Sequence, residues 1–509
     1  MLNKININNK IIIMVPYCDI YEPFIIKCLN SIYTQQYYNY EVIIVNDGSK
    51  KIKIINDYIE NKENYILLNC ENNNGPAFTK WKFMEYIKDN INRYNYNDIA
   101  CIIDGDDYLI TEDALNTINQ TYNENKCWFT YGNAEGKFCS DNNYQIPETW
   151  INIREEKWIY NHPRSFKLFF VFYFLESDFK FNDNWLNKGT DRPLVYNCIE
   201  LSGKNRVKYI DKILYKYVEH DFNSYKTVSH KNKLTQINYI KNKSPLKEII
   251  EDIHIVVCYW KRIENLEIQL DNLNKQTISK RIVLHLINNN PDYFVYLTQK
   301  INEYSKIFEN IRIYLSHYSN EYFGFQRFIY IRDIILKKFI VDYVIIIDDD
   351  QIFNYDWVEK IYQLRRPKTY WSWYVKKWNK LNLDYWKGSI IKINRNLTNS
   401  NNKINDNETF HYGGTGGSII DVNIFNINSK LWEVPTNTQN FSVYSIEDLW
   451  LSFVMTYYYG WEIKYSNLLE KTLNFKNSNS KKQSLYSNLI KEKQLFLEYL
   501  TYNYENYIF

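Results

Sequence analysis

The chain carries eight cysteines (Cys18, Cys28, Cys70, Cys101, Cys127, Cys139, Cys198 and Cys258) but no pair in CxxC spacing. That removes the usual case for a structural zinc site. Thiols scattered through apolar runs predict free cysteines in a reducing compartment. No window approaches the ~20 apolar residues that a membrane span requires. The first apolar run, residues 11–15, is shorter than the apolar region of a secretory signal. The expectation is a protein that is not secreted, has no transmembrane segment and is soluble, in or facing the cytoplasm. Charge of one sign is also lacking: 62 Lys and Arg stand against 59 Asp and Glu, a net charge of +3. This gives no electrostatic case for a nucleic-acid partner. A Walker loop is missing too, since the glycine-rich "HYGGTGGSII" (residues 411–420) has neither its spacing nor its position.

What is present fits a globular chain: 45% apolar and 24% charged residues over 509 positions. That length suggests roughly two to four domains, each large enough to bury a core. The first half alternates strand and helix signals. "KIIIMVPY", "YEVIIVNDGS" and "DIACIID" are apolar runs with strand character, separated by the helically spaced "EPFIIKCLNSIYTQ" and "GPAFTKWKFMEYIKDNI". Such alternation predicts an α/β fold, a mostly parallel sheet flanked by helices. Ligands of such sheets bind beyond the carboxyl ends of the strands, where "VPYCD", "NDGS" and "DGDD" all fall. After a basic, partly helical connector the order restarts: "IHIVVCYWKR", "NLEIQLDNLNKQT", "RIVLHLINNN", "FGFQRFIYIRDIILKKF" and "DYVIIIDDD". The reading is two tandem domains, 1–228 and 251–509, joined by a connector at 229–250.

Each half drives an apolar strand into clustered carboxylates: Asp104, Asp106 and Asp107 in "DIACIIDGDDYLI", and Asp348, Asp349 and Asp350 in "DYVIIIDDDQIF". Like charges at one strand tip need a counter-charge. Oxygen-only ligands suit Mg²⁺ or Mn²⁺, with positions left open for a diphosphate. The alternative is that the acids start the next helix, for which Thr111 is the better cap. "NDGS" closes a strand expected to lie beside the acidic one, where Asp47 could accept from a nucleobase imide. Pro16 ends the first strand, and Tyr17 could stack on a base. Asp191, in "GTDRPLVYNCIELSG", either caps a helix or serves as a general base toward an acceptor hydroxyl. Glu447 and Asp448 open an apolar helix at the same relative place in the second half. The aromatic stretch at residues 369–388 is either core, a lid, or a surface for sugar faces.

Taken in order, these landmarks resemble family 2 glycosyltransferases with the GT-A fold, over about residues 9–222 and more divergently over about 251–505. The resemblance is loose at "NNNGPAFTKWKFMEYI", where Ala77 is out of register and the family's Arg is missing, and at Thr190, which replaces a Glu. It implies two tandem GT-A (Rossmann-like) domains. Asp104 would face ribose or metal, Asp106 and His220 would hold the metal, and Asp191 would be the base. In the second half Asn289 stands for Asp47, Arg327 for a phosphate anchor, Asp348 and Asp350 for the Asp-x-Asp pair, and Asp448 for the base. The implied activity is a bifunctional, metal-dependent, inverting hexosyltransferase. It would use a nucleotide-sugar donor, most simply a UDP-sugar, a divalent metal (Mn²⁺ or Mg²⁺), and a glycan or protein-linked acceptor. The alternative is one active domain beside a silent carbohydrate-binding one.

Overall fold

The computed structural model describes residues 5–136, 152–220, 230–378, 383–385, 408–436, 442–466, 469, 473–475, 489–504 and 507. Cys139, the end of the segment "YKYVEHDFNS" and parts of the connector and of the aromatic stretch lie outside the described residues. The chain forms two compact units, Asn8–Ile250 and Glu251–Phe509, the latter joined by Met1–Ile7.

In the first unit, β1 (Ile11–Tyr17), β2 (Tyr40–Asp47), β3 (Tyr65–Cys70) and β4 (Ile99–Ile102) are parallel neighbours in the order β3-β2-β1-β4. β1, β2 and β4 are almost wholly buried, because helices cover both faces. Two of these are α1 (Glu22–Tyr33), with Pro23 in its first turn, and α2 (Pro76–Asp89), with Pro76 in its own. Proline fits there because those first N–H groups have no helical partner. The sheet continues through β5 (Phe129–Glu135) and β6 (Asn161–Lys167) to β7 (Val207–Lys216), in the order β4-β6-β5-β7. β6 runs antiparallel to both its neighbours, and β5 and β7 are parallel. Between β6 and β7 lies α3 (Arg192–Ser202).

The second unit repeats the order of these seven strands, without a counterpart in its sheet to the short edge strand Tyr108–Leu109 that pairs with β7 in the first. β8 (Ile253–Tyr259), β9 (Ile282–Asn288), β10 (Arg312–His317) and β11 (Tyr343–Asp348) form a parallel set ordered β10-β9-β8-β11. It continues through β13 (Ser418–Asp421), β12 (Thr369–Ser372) and β14 (Glu462–Tyr465), with β13 antiparallel to both its neighbours. α4 (Glu447–Phe453) precedes β14, as α3 precedes β7, and α5 (Ile490–Asn503) follows it. Ile7 is buried in this unit's core, and the backbone N–H of Ile5 donates to Tyr458.

Three expectations change. β1 lies between β2 and β4, so the strand ending in "NDGS" is not beside the acidic one. The helix after Asp107 spans Ala114–Asn125, with no side-chain cap, so Thr111 does not start it. The stretch read as a connector packs onto the first unit: Ile240 is buried, its carbonyl accepts from Arg154, and Ile249 N–H donates to Leu201.

Candidate functional site

The carboxyl ends of β1, β2 and β4 open onto a cavity of about 1670 Å³. Pro16, Tyr17, Asp47, Asp104, Asp106, Asp191 and His220 all line it, so these seven residues singled out in the first half converge there, whereas Asp107 does not. Gly105 lies so close to β1 that a Cβ on it would stand 2.6 Å from the Pro16 carbonyl oxygen. That contact docks the acidic loop on the end of β1.

The three acids at the end of β4 divide into two roles. Asp106 Oδ2 lies 2.9 Å from His220 Nε2, and Asp104 Oδ2 lies 3.6 Å from His162 Nε2. Both carboxylates face the cavity. Asp107 turns inward, accepting from Tyr215 Oη at 2.8 Å and from Val218 N–H at 2.8 Å. Burial, then Asp104 and Asp106, push the Asp107 carboxyl up to about 9. Burial and Asp104 also raise Asp106, against the lowering pull of His220. His162, stacked on Tyr215, is held neutral: burial and Arg164 push it down to about 4.

Asp47 sits at the far end of β2 and is braced by the entry to α2, accepting from Asn74 N–H at 2.9 Å and Gly75 N–H at 2.7 Å. Burial raises its carboxyl and those two bonds oppose the rise. The turn itself is fixed by Asn46, which both accepts from Ser49 N–H and donates to the Ser49 carbonyl at 3.0 Å. Gly48 has φ +74°, and a Cβ there would lie 2.5 Å from the backbone of Asn72 and Asn73; only glycine fits. Tyr17, suggested as a base-stacking ring, is 1% exposed, and its hydroxyl donates to the Lys51 carbonyl at 2.9 Å. Its ring is part of the core.

Asp191 occupies the N-cap position of α3, but its side chain makes no cap hydrogen bond. Instead Lys80 Nζ lies 3.1 Å from one oxygen and Arg164 Nη1 2.8 Å from the other. Burial would raise the carboxyl, but Arg164, Lys80 and His162 outweigh it and hold Asp191 well below the usual carboxylate range. The capping alternative therefore gives way to an ionised carboxylate clamped at the cavity wall.

The second unit places Asn289, Arg327, Asp348, Asp350 and Asp448 around a cavity of about 540 Å³. Here the acids meet guanidinium groups. Arg262 Nη1 donates to Asp349 at 2.7 Å and to Asp350 at 3.0 Å. Arg327 spans Asp348 at 3.3 Å and Glu447 at 3.1 Å. A Cβ on Gly416 would stand 1.9 Å from the Asp348 carboxylate, so that glycine serves the acid's approach. Asn289 donates to the Phe323 carbonyl at 2.8 Å. Asp448 accepts from Tyr412 and faces Lys493 Nζ at 3.1 Å. Burial would raise it, but Lys493 and Tyr412 hold it below the usual range. Its neighbour Glu447 is raised by burial, against Arg327, to about 7.

Sequence reasoning missed Lys80, Arg164, Arg262 and Lys493. Lys80 falls within a quoted segment, and Arg262 closes the quoted strand "IHIVVCYWKR". Arg164 and Lys493 carry no local signal.

Residues 12–188 match the family model "Glycosyl transferase family 2". That segment contains β1 to β6 and most of the cavity-lining residues, and it stops just short of Asp191. Among solved structures, S. aureus TarS residues 1–349 is 19% identical, with 41% of this chain and 60% of that one covered, at a TM-score of 0.30. TarS 1–349 in complex with UDP-GlcNAc is 17% identical, covering 47% and 68%, at 0.33. The mannosyltransferase PcManGT from Pyrobaculum calidifontis, in complex with GDP-Man and Mn²⁺, is 13% identical, covering 47% and 66%, at 0.31. The chain thus spans 60% of the length of the first of these. No curated protein matches it. Among the described residues, no helix is long and apolar enough to cross a membrane, and the seven described cysteines are free.

Proposed function

We propose that the chain is an inverting glycosyltransferase whose first unit binds a nucleotide-sugar in the 1670 Å³ cavity and transfers the sugar to a glycan or protein-linked hydroxyl. The observation that carries this reading is the convergence of Asp104, Asp106 and Asp191 on one cavity, built largely from the segment that matches family 2.

The first unit fits a divalent metal. Asp104 and Asp106 face the cavity together, Asp106 is raised by burial and then by Asp104, and imidazole nitrogens lie beside both. Among the described residues no set of three His, Cys, Asp or Glu side chains gathers for a metal. Asp104 and Asp106, with His220 at hand, would hold Mg²⁺ or Mn²⁺, its remaining positions completed by substrate phosphates. When bound, the ion offsets charge on the departing nucleoside diphosphate. The chain's own residues do the rest. Asp191, kept ionised by Arg164 and Lys80, takes the proton from the acceptor hydroxyl as it attacks the anomeric carbon from the face opposite the leaving group. One displacement inverts that carbon. Arg164 and Lys80 fix both carboxylate oxygens, so the base enters the reaction already oriented. Asp47 and the "NDGS" turn form the nucleoside end of the cavity.

For the second unit, the repeated strand order with Asp348, Asp350 and Asp448 at matching places supports a second GT-A domain. In the bifunctional reading Asp448 is its base. The reading in which this unit binds a glycan without turnover is favoured by the arginines already seated on its acids.

A donor panel tests the proposal, with release of nucleoside diphosphate measured for the wild type, Asp191→Asn and Asp448→Asn. Loss of all release in Asp191→Asn supports a first-unit transferase. Loss of a different nucleotide in each variant supports bifunctionality. Unchanged release in Asp191→Asn removes the base assigned here.

A further inference from the structure

The two units solve the same electrostatic problem with different chemistry. Tyr17 pairs with Asn46 and Met14 with Ile102 in the first sheet; Tyr259 pairs with Asn288 and Cys258 with Asp348 in the second. Aligning Tyr17 with Tyr259 puts Pro16 with Cys258. Continuing the first register two residues then puts Asp104 with Asp348 and Asp106 with Asp350. The carboxylates are therefore equivalent in position, while their partners are not.

In the first unit both cavity-facing acids look at imidazole nitrogens, His220 and His162. Imidazole can itself ligate a metal, so neither partner has to be displaced by a cation. In the second unit both look at guanidinium groups. Arg262 bridges Asp349 and Asp350, and Arg327 bridges Asp348 and Glu447. Guanidinium stays charged at any working pH and cannot ligate a metal. Two of them bring the same double positive charge as a divalent ion. Arg262 and Asp350 have side chains only 15% exposed. A cation entering between them would have to displace a charged guanidinium and leave it without its carboxylates. Gly416 closes onto Asp348 from its own side as well. The second acid cluster therefore does not fit the metal that its Asp-x-Asp spacing implies.

We infer that the chain holds one divalent cation, on Asp106 in the first unit, and that Arg262 and Arg327 replace the cation in the second. Any nucleotide-sugar or glycan bound there is taken without a metal. The cation assignment rests on the glycosyltransferase reading only in the choice of nucleotide added as a second probe.

The test is Mn²⁺ binding to the full chain, followed by electron paramagnetic resonance and by calorimetry, first with the metal alone and then with UDP or GDP. The expected result is one Mn²⁺ per chain, lost in Asp106→Asn and retained in Asp350→Asn. Two Mn²⁺ per chain in the wild type, loss of the ion in Asp350→Asn, or no bound Mn²⁺ at all would each overturn the inference. If one Mn²⁺ binds with that pattern but neither nucleotide binds, the cation assignment stands and the glycosyltransferase reading fails. The wild-type count decides the matter even where a variant folds poorly.

Discussion

Replacing Arg164 by methionine removes half of the clamp on Asp191 while keeping most of the buried stem. The guanidinium lies 2.8 Å from the carboxylate. At an effective dielectric of about 20, unit charges at that spacing attract by about 6 kcal/mol, part of which offsets desolvation. Removing one partner of a buried pair typically costs about 3–5 kcal/mol; a smaller loss of about 1–2 kcal/mol is expected, because the Asp191 side chain is 32% exposed and Lys80 remains on the other oxygen. The sign of the pH effect follows from linkage. Asp191 is depressed in the folded state, so the stability it contributes is present at neutral pH and lost in acid. In the variant the carboxyl rises toward its ordinary range. Its kcat/KM should then begin to fall in acid at a higher pH than the wild type's. At neutral pH, a base no longer held at both oxygens should turn over about 10- to 100-fold more slowly. The assay is nucleoside diphosphate release between pH 4 and 9, with thermal unfolding in parallel and Arg164→Lys as partial rescue. A variant with the wild-type pH profile and melting temperature would show that Arg164 does not set the state of Asp191.

Gly48→Ala should destabilise the first unit by more than about 1 kcal/mol and weaken nucleotide binding, because the left-handed φ and the 2.5 Å approach to the Asn72 and Asn73 backbone exclude a Cβ; equal urea midpoints would contradict this. Lys493→Met should cost about 3–5 kcal/mol by stranding Asp448 in a buried site, and Lys493→Met with Asp448→Asn should recover part of the loss; additive losses in the double variant would refute the pairing. The second unit should also be acid-labile. His254 and His285 are buried and hydrogen-bonded at 2.9 Å, with His285 3.1 Å from the Tyr330 hydroxyl. Burial pushes His254 down to about 4 and His285 well below its usual value. The unfolded chain takes up these protons first, so stability is complete above about pH 6.5 and falls as pH drops toward 4, by about 3 kcal/mol for His254 alone. Denaturant midpoints at pH 7.5 and pH 5 measure it, and no difference between them would exclude a neutral pair.

The strands and their acidic tips were legible because period and burial are local. Apolar runs such as residues 99–103 and 343–347 mark buried parallel strands, and Asp cannot continue them without facing solvent or a counter-charge. Glycines 48 and 416 were visible as residues but not as contacts, since only the fold reveals what their missing side chains would strike. The cations were harder. Arg164 meets Asp191 from a strand 27 residues earlier in the chain, and Lys493 meets Asp448 from a helix 45 residues later. Neither pairing leaves a periodic trace. Nor does spacing record what faces the carboxylates: Asp106 meets His220 and Asp350 meets Arg262 at the same place in the motif. Strand adjacency failed for a related reason: sequence order does not say that the first strand is inserted between the second and the fourth.

The second unit includes Ile5 and Ile7, which lie ahead of the whole first unit in the chain, and Ile7 is buried in its core. In covalent terms the first unit is an insertion into the second. A cut near residue 250 therefore yields no clean pair of halves: the downstream fragment lacks the Ile5 hydrogen bond to Tyr458 and the Ile7 side chain. On the ribosome the consequence is an order of events. The first unit can close once the chain up to about Ile250 has emerged, since the segment after β7 packs onto it, while the opening residues wait for a core that does not exist until the last strands and α5 have been made.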